Sequence, residues 1–478
     1  MKKDLLLSEI AKNLIISNIS NLKKQAHLPL DKYGLFVKIF VYSFKERIKN
    51  LILQSKAEKE RHALNFLRNH ELYVPKWISN FSLDKKVEIC VTELVDGKPI
   101  TSLSNNEILE VIPIVAKTIK KLHELGFFHK DLHPGNILYS SGKVYLTDFH
   151  RHRFYKNGVP LNKRLWDIAC FLWPFRSDEI NRLFILNYAE TENMDSYFLS
   201  KLKECFKKIA QREIKKLKRD TLRDSLYFKR ETAQNLRLFM SKDTDKKLIF
   251  YILEKHKEIK NKKTQKLVKE TTRKIITSYE TDEGVFYIKE YRLSGFFEKL
   301  KERLRVPKFR KAWTNANILY FIFNSNTKPI ALVEQKRCLF YTKAYLIFFT
   351  PSNAIGLHIF LNDIIQQDQK NKNNFLKAFV KFLTTMKEFD LCHKDFKINH
   401  ILALRERTHW SFSLIDTEDV FFKKWNLDYI KKMLTQMHQT LPFKNSNRFF
   451  YLRFLCLFLR NFSHKEKKKI EYTLLKAK

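Results

Sequence analysis

The stretch His129-Lys130-Asp131-Leu132-His133-Pro134-Gly135-Asn136, followed by Thr147-Asp148-Phe149, decides how this chain reads. An Asp, an Asn shortly after it and a second Asp beyond a short apolar run are the groups that phosphoryl transfer from ATP requires. One carboxylate accepts the proton of the attacking hydroxyl, while the amide oxygen and the second carboxylate hold Mg²⁺ on the nucleotide phosphates. Asp131 takes the part of the base, and Asn136 and Asp148 those of the metal ligands. His-Pro-Gly-Asn is also good turn chemistry, but the flanks argue against a bare polar hairpin. Val111–Leu125 reads as an amphipathic helix running in, and residues 142–149 read as a hairpin and strand.

Upstream, Leu35–Tyr42 is a β-run interrupted by one cation, Lys38, placed to neutralise the α- and β-phosphates. The alternative for a lone Lys in an apolar strand is an edge-strand gatekeeper. The helix Ala57–Leu67 carries Glu60, the expected partner of Lys38, with Glu58 as its rival. Val87–Leu94 predicts another strand ending in Thr92-Glu93-Leu94, which would be the hinge where backbone groups around Glu93 meet adenine. Only Gly34 precedes Lys38, so no glycine-rich phosphate loop lies there. Leu5–Lys24 reads as helical, and Ser200–Arg223 and His256–Lys274 as basic helices. Asp167 opens a helix behind the loop, either to accept loop N–H groups or as an exposed first-turn carboxylate.

The pattern then restarts. Phe286-Tyr-Ile-Lys289 mirrors the strand of Lys38, His393-Lys394-Asp395 mirrors His129-Lys130-Asp131, and Ser413-Leu-Ile-Asp416 mirrors Tyr145-Leu-Thr-Asp148. Phe171-Leu172 and Phe458-Leu459 extend the match. The fold expected is α+β: two tandem protein-kinase-like domains, 1–240 and 241–478, each with a small β-rich lobe and a larger helical lobe. In the second copy Lys289, Asp395 and Asp416 are present, His400 takes the place of Asn136, and the helix around Phe309–Tyr320 has no Glu to meet Lys289. Imidazole is a poorer ligand for hard Mg²⁺ than an amide oxygen. The second copy is therefore either a scaffold or a kinase with altered metal geometry.

Composition narrows the partners. Lys and Arg number 91 against 51 Asp and Glu, a net charge of +40 over 478 residues. Such a field draws polyanions: nucleic acid, an anionic membrane or a phosphorylated glycolipid. The six cysteines form no CxxC pair, which argues against zinc and disulfide frameworks and for a reducing compartment. The N-terminal Met-Lys-Lys-Asp-Leu-Leu-Leu-Ser-Glu turns charged before a signal-peptide core forms. No apolar run approaches the roughly 18 residues of a spanning helix.

Residues 127–138 and 144–154, with Asp148-Phe149-His150-Arg151 where protein kinases have Asp-Phe-Gly, resemble the bacterial lipopolysaccharide core sugar kinases, the Kdo and heptose kinase family. The second copy is similar to the branch in which His replaces Asn, whose members are active. The resemblance implies an ATP- and Mg²⁺-dependent kinase acting on a Kdo or heptose hydroxyl of the lipid A–core. Such an enzyme works as a peripheral cytoplasmic protein on the anionic inner-membrane surface, with Arg151 and Arg153 near the acceptor's phosphates, and nucleic acid is not an expected partner. The alternatives are a protein or small-molecule kinase of the same fold, against which the missing Ala-Pro-Glu segment counts, and a non-enzymatic polyanion-binding protein.

Overall fold

The computed structural model describes residues 25–476 apart from 190–195, 234, 263–265, 294, 338–339, 367, 407–408 and 442–447. The helix expected over Leu5–Lys24 and Cys338 lie outside the described residues. Two compact units divide between Ile209 and Ala210.

The first unit opens with a four-stranded antiparallel sheet whose spatial order is Gln25–Leu30, Leu35–Val41, Val87–Glu93, Trp77–Asp84. Period-two alternation sorts its side chains. Leu35, Val37 and Ile39 pack with Val87, Ile89 and Val91 on one face. Phe40 lies on the other face with Ala57 and Cys90, and Lys38 points that way too, towards the helix Lys56–Asn69. Ser55 caps that helix by accepting from the Glu58 N–H, and Ala63, Leu64 and Leu67 turn it inward. The helix Asn105–Glu124 starts in a Ser104/Glu107 capping box. Its Ile108, Val111, Ile112, Val115, Ile119 and Leu122 follow the helical repeat into the large core. Leu132, Ile137 and Phe149 sink into that same core, each burial being worth roughly 1.5–3 kcal/mol. The loop bearing Asp131 is thus pinned at both ends by apolar side chains.

The second unit carries a seven-stranded antiparallel sheet. Its order is Phe228–Ala233, Leu236–Ser241, Lys328–Arg337, Phe340–Pro351, Gly284–Arg292, Lys274–Thr281, Leu267–Glu270. The expected boundary near residue 240 falls inside this sheet, because the strand Leu236–Ser241 pairs with Lys328–Arg337. The basic segment His256–Lys274 is also not one helix. The helix Lys246–Lys262 ends there, and Leu267–Glu270 and Lys274–Thr281 are strands. Ile249, Ile252 and Leu253 seat the helix on Leu238, Ile288, Val333 and Ile347 of the sheet. A separate core gathers the helices Gln369–Glu388, Leu427–Thr440 and Arg448–Leu459 around Ile401 and Leu414.

A buried hydrogen bond ties helix to sheet in this unit. His256 Nε2 lies 2.9 Å from Glu290 Oε2, and both side chains are fully buried. Burial pushes the Glu290 carboxyl up, but the His256 hydrogen bond and the Lys260 and Lys343 ammoniums outweigh it and hold the pKa at about 2. A depressed carboxylate stabilises above its unfolded value and loses that contribution as pH falls through the folded one. In acid titration monitored by unfolding, the second unit should therefore weaken between its ordinary value of 4.5 and about 2. Glu290→Gln should flatten that limb while lowering stability at neutral pH.

Candidate active sites

In the first unit the predicted residues converge. Lys38 is 4% exposed, and its Nζ lies 2.5 Å from Glu60 Oε1 and 3.5 Å from Asp148 Oδ1. Burial favours the neutral amine, yet Glu60 and then Asp148 outweigh it and raise the lysine pKa. Glu58 instead pairs with Arg61 on the helix surface, so the choice between the two carboxylates falls to Glu60. Asp148 sits at φ 68°, in left-handed backbone that Asp adopts more readily than most residues. Burial opposes its charge, but the 2.8 Å contact with His150 Nδ1 and the nearby Lys38 hold it well below the usual carboxylate range.

The loop is held from beneath. Asp167, fully buried, accepts from the His129 N–H at 2.8 Å and the Lys130 N–H at 3.0 Å, the first of the two readings of that residue. Asn136 Nδ2 donates to the Asp131 carbonyl at 2.9 Å, which leaves its amide oxygen as the free acceptor. Thr147 N–H donates to the Asn136 carbonyl at 3.0 Å, bringing the strand of Asp148 to the loop. Asn136 and Asp148 offer hard oxygen donors suited to Mg²⁺. Glu60, Asp148 and His150 also bring ligand atoms within 4.8 Å of one another, but the Lys38 ammonium already serves two of the three. Arg151 bonds Asp131 Oδ2 at 2.9 Å, an exposed pairing and not a free anion contact. Glu93 ends its strand with an exposed side chain. Its N–H donates to the Lys76 carbonyl and that of Leu94 to the Gly34 carbonyl, so both hinge donors are engaged within the sheet. Beside the loop lies a cleft of about 770 Å³ lined by Phe128, Lys130, Lys163, Trp166, Lys201 and Lys208, with Glu204 as its one acid.

The second unit rebuilds the same arrangement with different residues. Lys289 Nζ lies 2.6 Å from Asp416 Oδ1 and 2.9 Å from Glu418 Oε2. The helix Lys308–Phe323 offers this lysine no carboxylate, as its sequence predicts. Glu418 comes instead from the segment after Asp416, at the position that His150 holds after Asp148. Tyr291 Oη donates to it at 2.6 Å, and Lys274 also pairs with it. Burial opposes the charge on Lys289, and Glu418 and Asp416 together raise its pKa. Asp416, at φ 57°, is pushed up by burial but held at about 2 by Lys289, with His400 and Lys274 behind. The helix still reaches the site: Asn315 Nδ2 donates to the carbonyls of Thr417 and Val420.

His400 Nδ1 meets the Asp395 carbonyl at 2.9 Å, repeating the bond of Asn136. A carbonyl only accepts, so Nδ1 carries a proton and Nε2 is the ring nitrogen left to face Asp416. Nε2 lies 3.5 Å from Asp416 Oδ2. With Nε2 protonated the two form an ion pair; with it deprotonated, imidazole nitrogen and carboxylate together are a donor set for a divalent metal. Asp395 is paired with Lys397 at 2.8 Å, where the first copy uses Arg151 from another loop. Tyr429 Oη accepts from the His393 N–H at 2.9 Å, the counterpart of Asp167. The helix equivalent to Leu161–Leu172 is therefore Leu427–Thr440, and the expected match of Phe171-Leu172 to Phe458-Leu459 is one helix too far.

Comparison with known proteins matches both halves. Residues 33–166 match the ABC1 atypical kinase-like domain, and residues 258–452 match the lipopolysaccharide kinase (Kdo/WaaP) family. Two kinase-like domains stand in tandem on this chain. The lipopolysaccharide kinase resemblance thus rests on the second domain, while the first matches a different kinase-like model. A Wee1-like protein kinase of Arabidopsis thaliana is 33% identical over 117 residues, 23% of this chain and 23% of that protein. The KEOPS complex subunit Bud32 of Pyrococcus abyssi is 29% identical over 175 residues, 30% of this chain and 80% of that subunit. Serine/threonine-protein kinase D of Synechocystis is 26% identical over 120 residues, 24% of each. The chain thus spans about a quarter of the two protein kinases. Among solved structures, WaaP in complex with acyl carrier protein aligns at TM-score 0.32 and 17% identity, over 44% of this chain and 85% of that one. An aminoglycoside-3'-phosphotransferase of type VIII aligns at TM-score 0.29 and 15% identity, over 41% and 98%.

Glu418 gives the sharpest test of the second site. Removing one partner of a buried ion pair costs about 3–5 kcal/mol. Glu418→Ala should lower the melting temperature of the second unit and weaken its nucleotide binding, measured in a Lys38→Met background so that only this site reports. Retained affinity and stability would mean that Asp416 alone suffices for Lys289.

Proposed function

We propose that this protein is an ATP-dependent kinase that phosphorylates a Kdo or heptose hydroxyl of the lipopolysaccharide lipid A–core, with both domains competent. The observation that carries this reading is the lipopolysaccharide kinase match over residues 258–452, which coincides with a full set of reacting groups: Lys289, Asp395, His400, Asp416 and Glu418. The +40 charge suits a phosphorylated glycolipid in an anionic leaflet. The lysine-lined cleft beside Lys130 suits an anionic acceptor. No helix among the described residues is long and apolar enough to cross a membrane, which agrees with peripheral association at the inner face.

In each domain the buried lysine, Lys38 or Lys289, holds the α- and β-phosphates of ATP once Glu60 or Glu418 has fixed its ammonium. Asp131 or Asp395 orients the sugar hydroxyl and takes its proton as the oxygen attacks the γ-phosphorus, whose bond to the β,γ-bridging oxygen breaks to release ADP. Asn136 with Asp148, and His400 with Asp416, would hold Mg²⁺, which neutralises charge on the phosphates. Arg151 and Lys397 keep their aspartates placed and yield as substrate enters. The backbone around Glu93 borders the adenine site.

Transfer of labelled phosphate from ATP to dephosphorylated lipid A–core tests the reading. Asp131→Ala and Asp395→Ala should each remove a different phosphate, by a factor of about 10²–10⁴ where the base acts. A second reading, transfer to a protein or small molecule, draws on the two protein kinases among the matched relatives. It takes over if the wild type hydrolyses ATP yet labels no core acceptor.

A further inference from the structure

We propose that the second unit binds a phosphate group in a pocket beside its nucleotide site, with Glu418 on the wall between the two. The pocket has a volume of about 290 Å³ and lies between the start of the helix Lys308–Phe323, the loop of Asp395 and the segment after Asp416. Lys274, Arg305, Lys308, Lys311 and Lys394 line it, against two acids, Glu418 and Asp419. Of the reacting groups Glu418 alone lines it; Lys289, Asp395, His400 and Asp416 do not. The space admits several waters, enough for a phosphate and the first atoms that carry it.

The lining carries five cations against two acids. Glu418 is already shared by Lys289, Lys274 and Tyr291. Arg305 is taken by Glu302, whose other oxygen accepts from the Lys308 N–H at 2.9 Å. Lys311 and Lys394 have no ion pair among the described residues, and Lys308 has none for its side chain. Burial disfavours the charge on Lys311, and Lys394 disfavours it further, with Asp419 and Glu418 only partly offsetting them. The first turn of a 16-residue helix adds its own positive end. Like charges crowded around an open space are what a phosphate dianion relieves, through several charge-assisted bonds at once. Chloride or a carboxylate would cancel less charge and fill fewer donors.

Occupancy has a consequence for the reacting groups. A phosphate held by Lys311 and Lys394 joins the helix, which Asn315 ties to Thr417, to the residue next to Asp395. The anion would therefore fix the helix, the loop and the segment of Glu418 relative to one another. The inference rests on this pocket and not on the identity of the acceptor.

The test uses the full chain with a non-hydrolysable Mg·ATP analogue at saturation, so that nucleotide sites do not report. Orthophosphate binding is measured by calorimetry for wild type, Lys311→Met/Lys394→Met and a control, Lys431→Met/Lys432→Met, whose lysines are exposed on the helix Leu427–Thr440. Saturable binding in wild type and control, weakened at least about tenfold in Lys311→Met/Lys394→Met, supports the site. That variant removes repulsion, so without phosphate it should melt no lower than wild type, and phosphate should no longer raise its melting temperature. A sugar monophosphate that binds more tightly than orthophosphate, while the neutral sugar does not bind, assigns the pocket to a phosphorylated sugar. Equal affinity of the two assigns it to phosphate alone. No saturable binding in wild type, or the same loss in both double variants, overturns the proposal.

Discussion

A lysine ammonium buried in an apolar strand is the constraint on which each domain is built. Lys38 and Lys289 are nearly sealed from solvent, and an unpaired charge there would cost several kcal/mol. Each must find carboxylates, and finding them brings separate elements together: strand, helix and loop in the first unit, strand and loop in the second. A lysine held this way is poised for phosphates. Its pairing with Asp148 or Asp416 spans the place where a nucleotide's charge would lie.

The two copies meet that demand with different residues. The first draws Glu60 from a helix and sets His150 beside Asp148; the second has Glu418 at the corresponding loop position and leaves the helix to hydrogen-bond through Asn315. The cation paired with the loop aspartate, Asp131 or Asp395, moves in the same way, from Arg151 to Lys397. Beneath the loop, a buried carboxylate in one copy is a tyrosine hydroxyl in the other. Decay of an unused site removes partners without replacing them. Here each lost partner has a substitute within hydrogen-bonding distance, and even His400 reproduces the backbone bond of Asn136. That pattern favours a second domain maintained for chemistry.

Much of this was legible in the sequence because kinase-like motifs are short and local. The spacing of Asp131, Asn136 and Asp148 within one loop and hairpin places them together whatever the rest of the chain does. Lys38 and Glu60 followed from a strand and helix with clear periodicity. Glu418 was missed because its partner lysine lies far away in sequence, so only the closed structure shows the pair. The unit boundary was misplaced for a similar reason: the hairpin 228–241 belongs to the second sheet through strand pairing with residues 328–337, which no local pattern announces. The segment 256–274 misled because a high lysine content is compatible with either helix or exposed strand.

The central claim is that the chain holds two working phosphate-binding lysine sites and not one site with a scaffold. Calorimetric titration of the full protein with a non-hydrolysable Mg·ATP analogue tests it most directly. The account predicts two nucleotides per chain, falling to one in Lys38→Met and to one in Lys289→Met. A stoichiometry of one that Lys289→Met leaves unchanged would contradict it, and would make the second domain a support for the first.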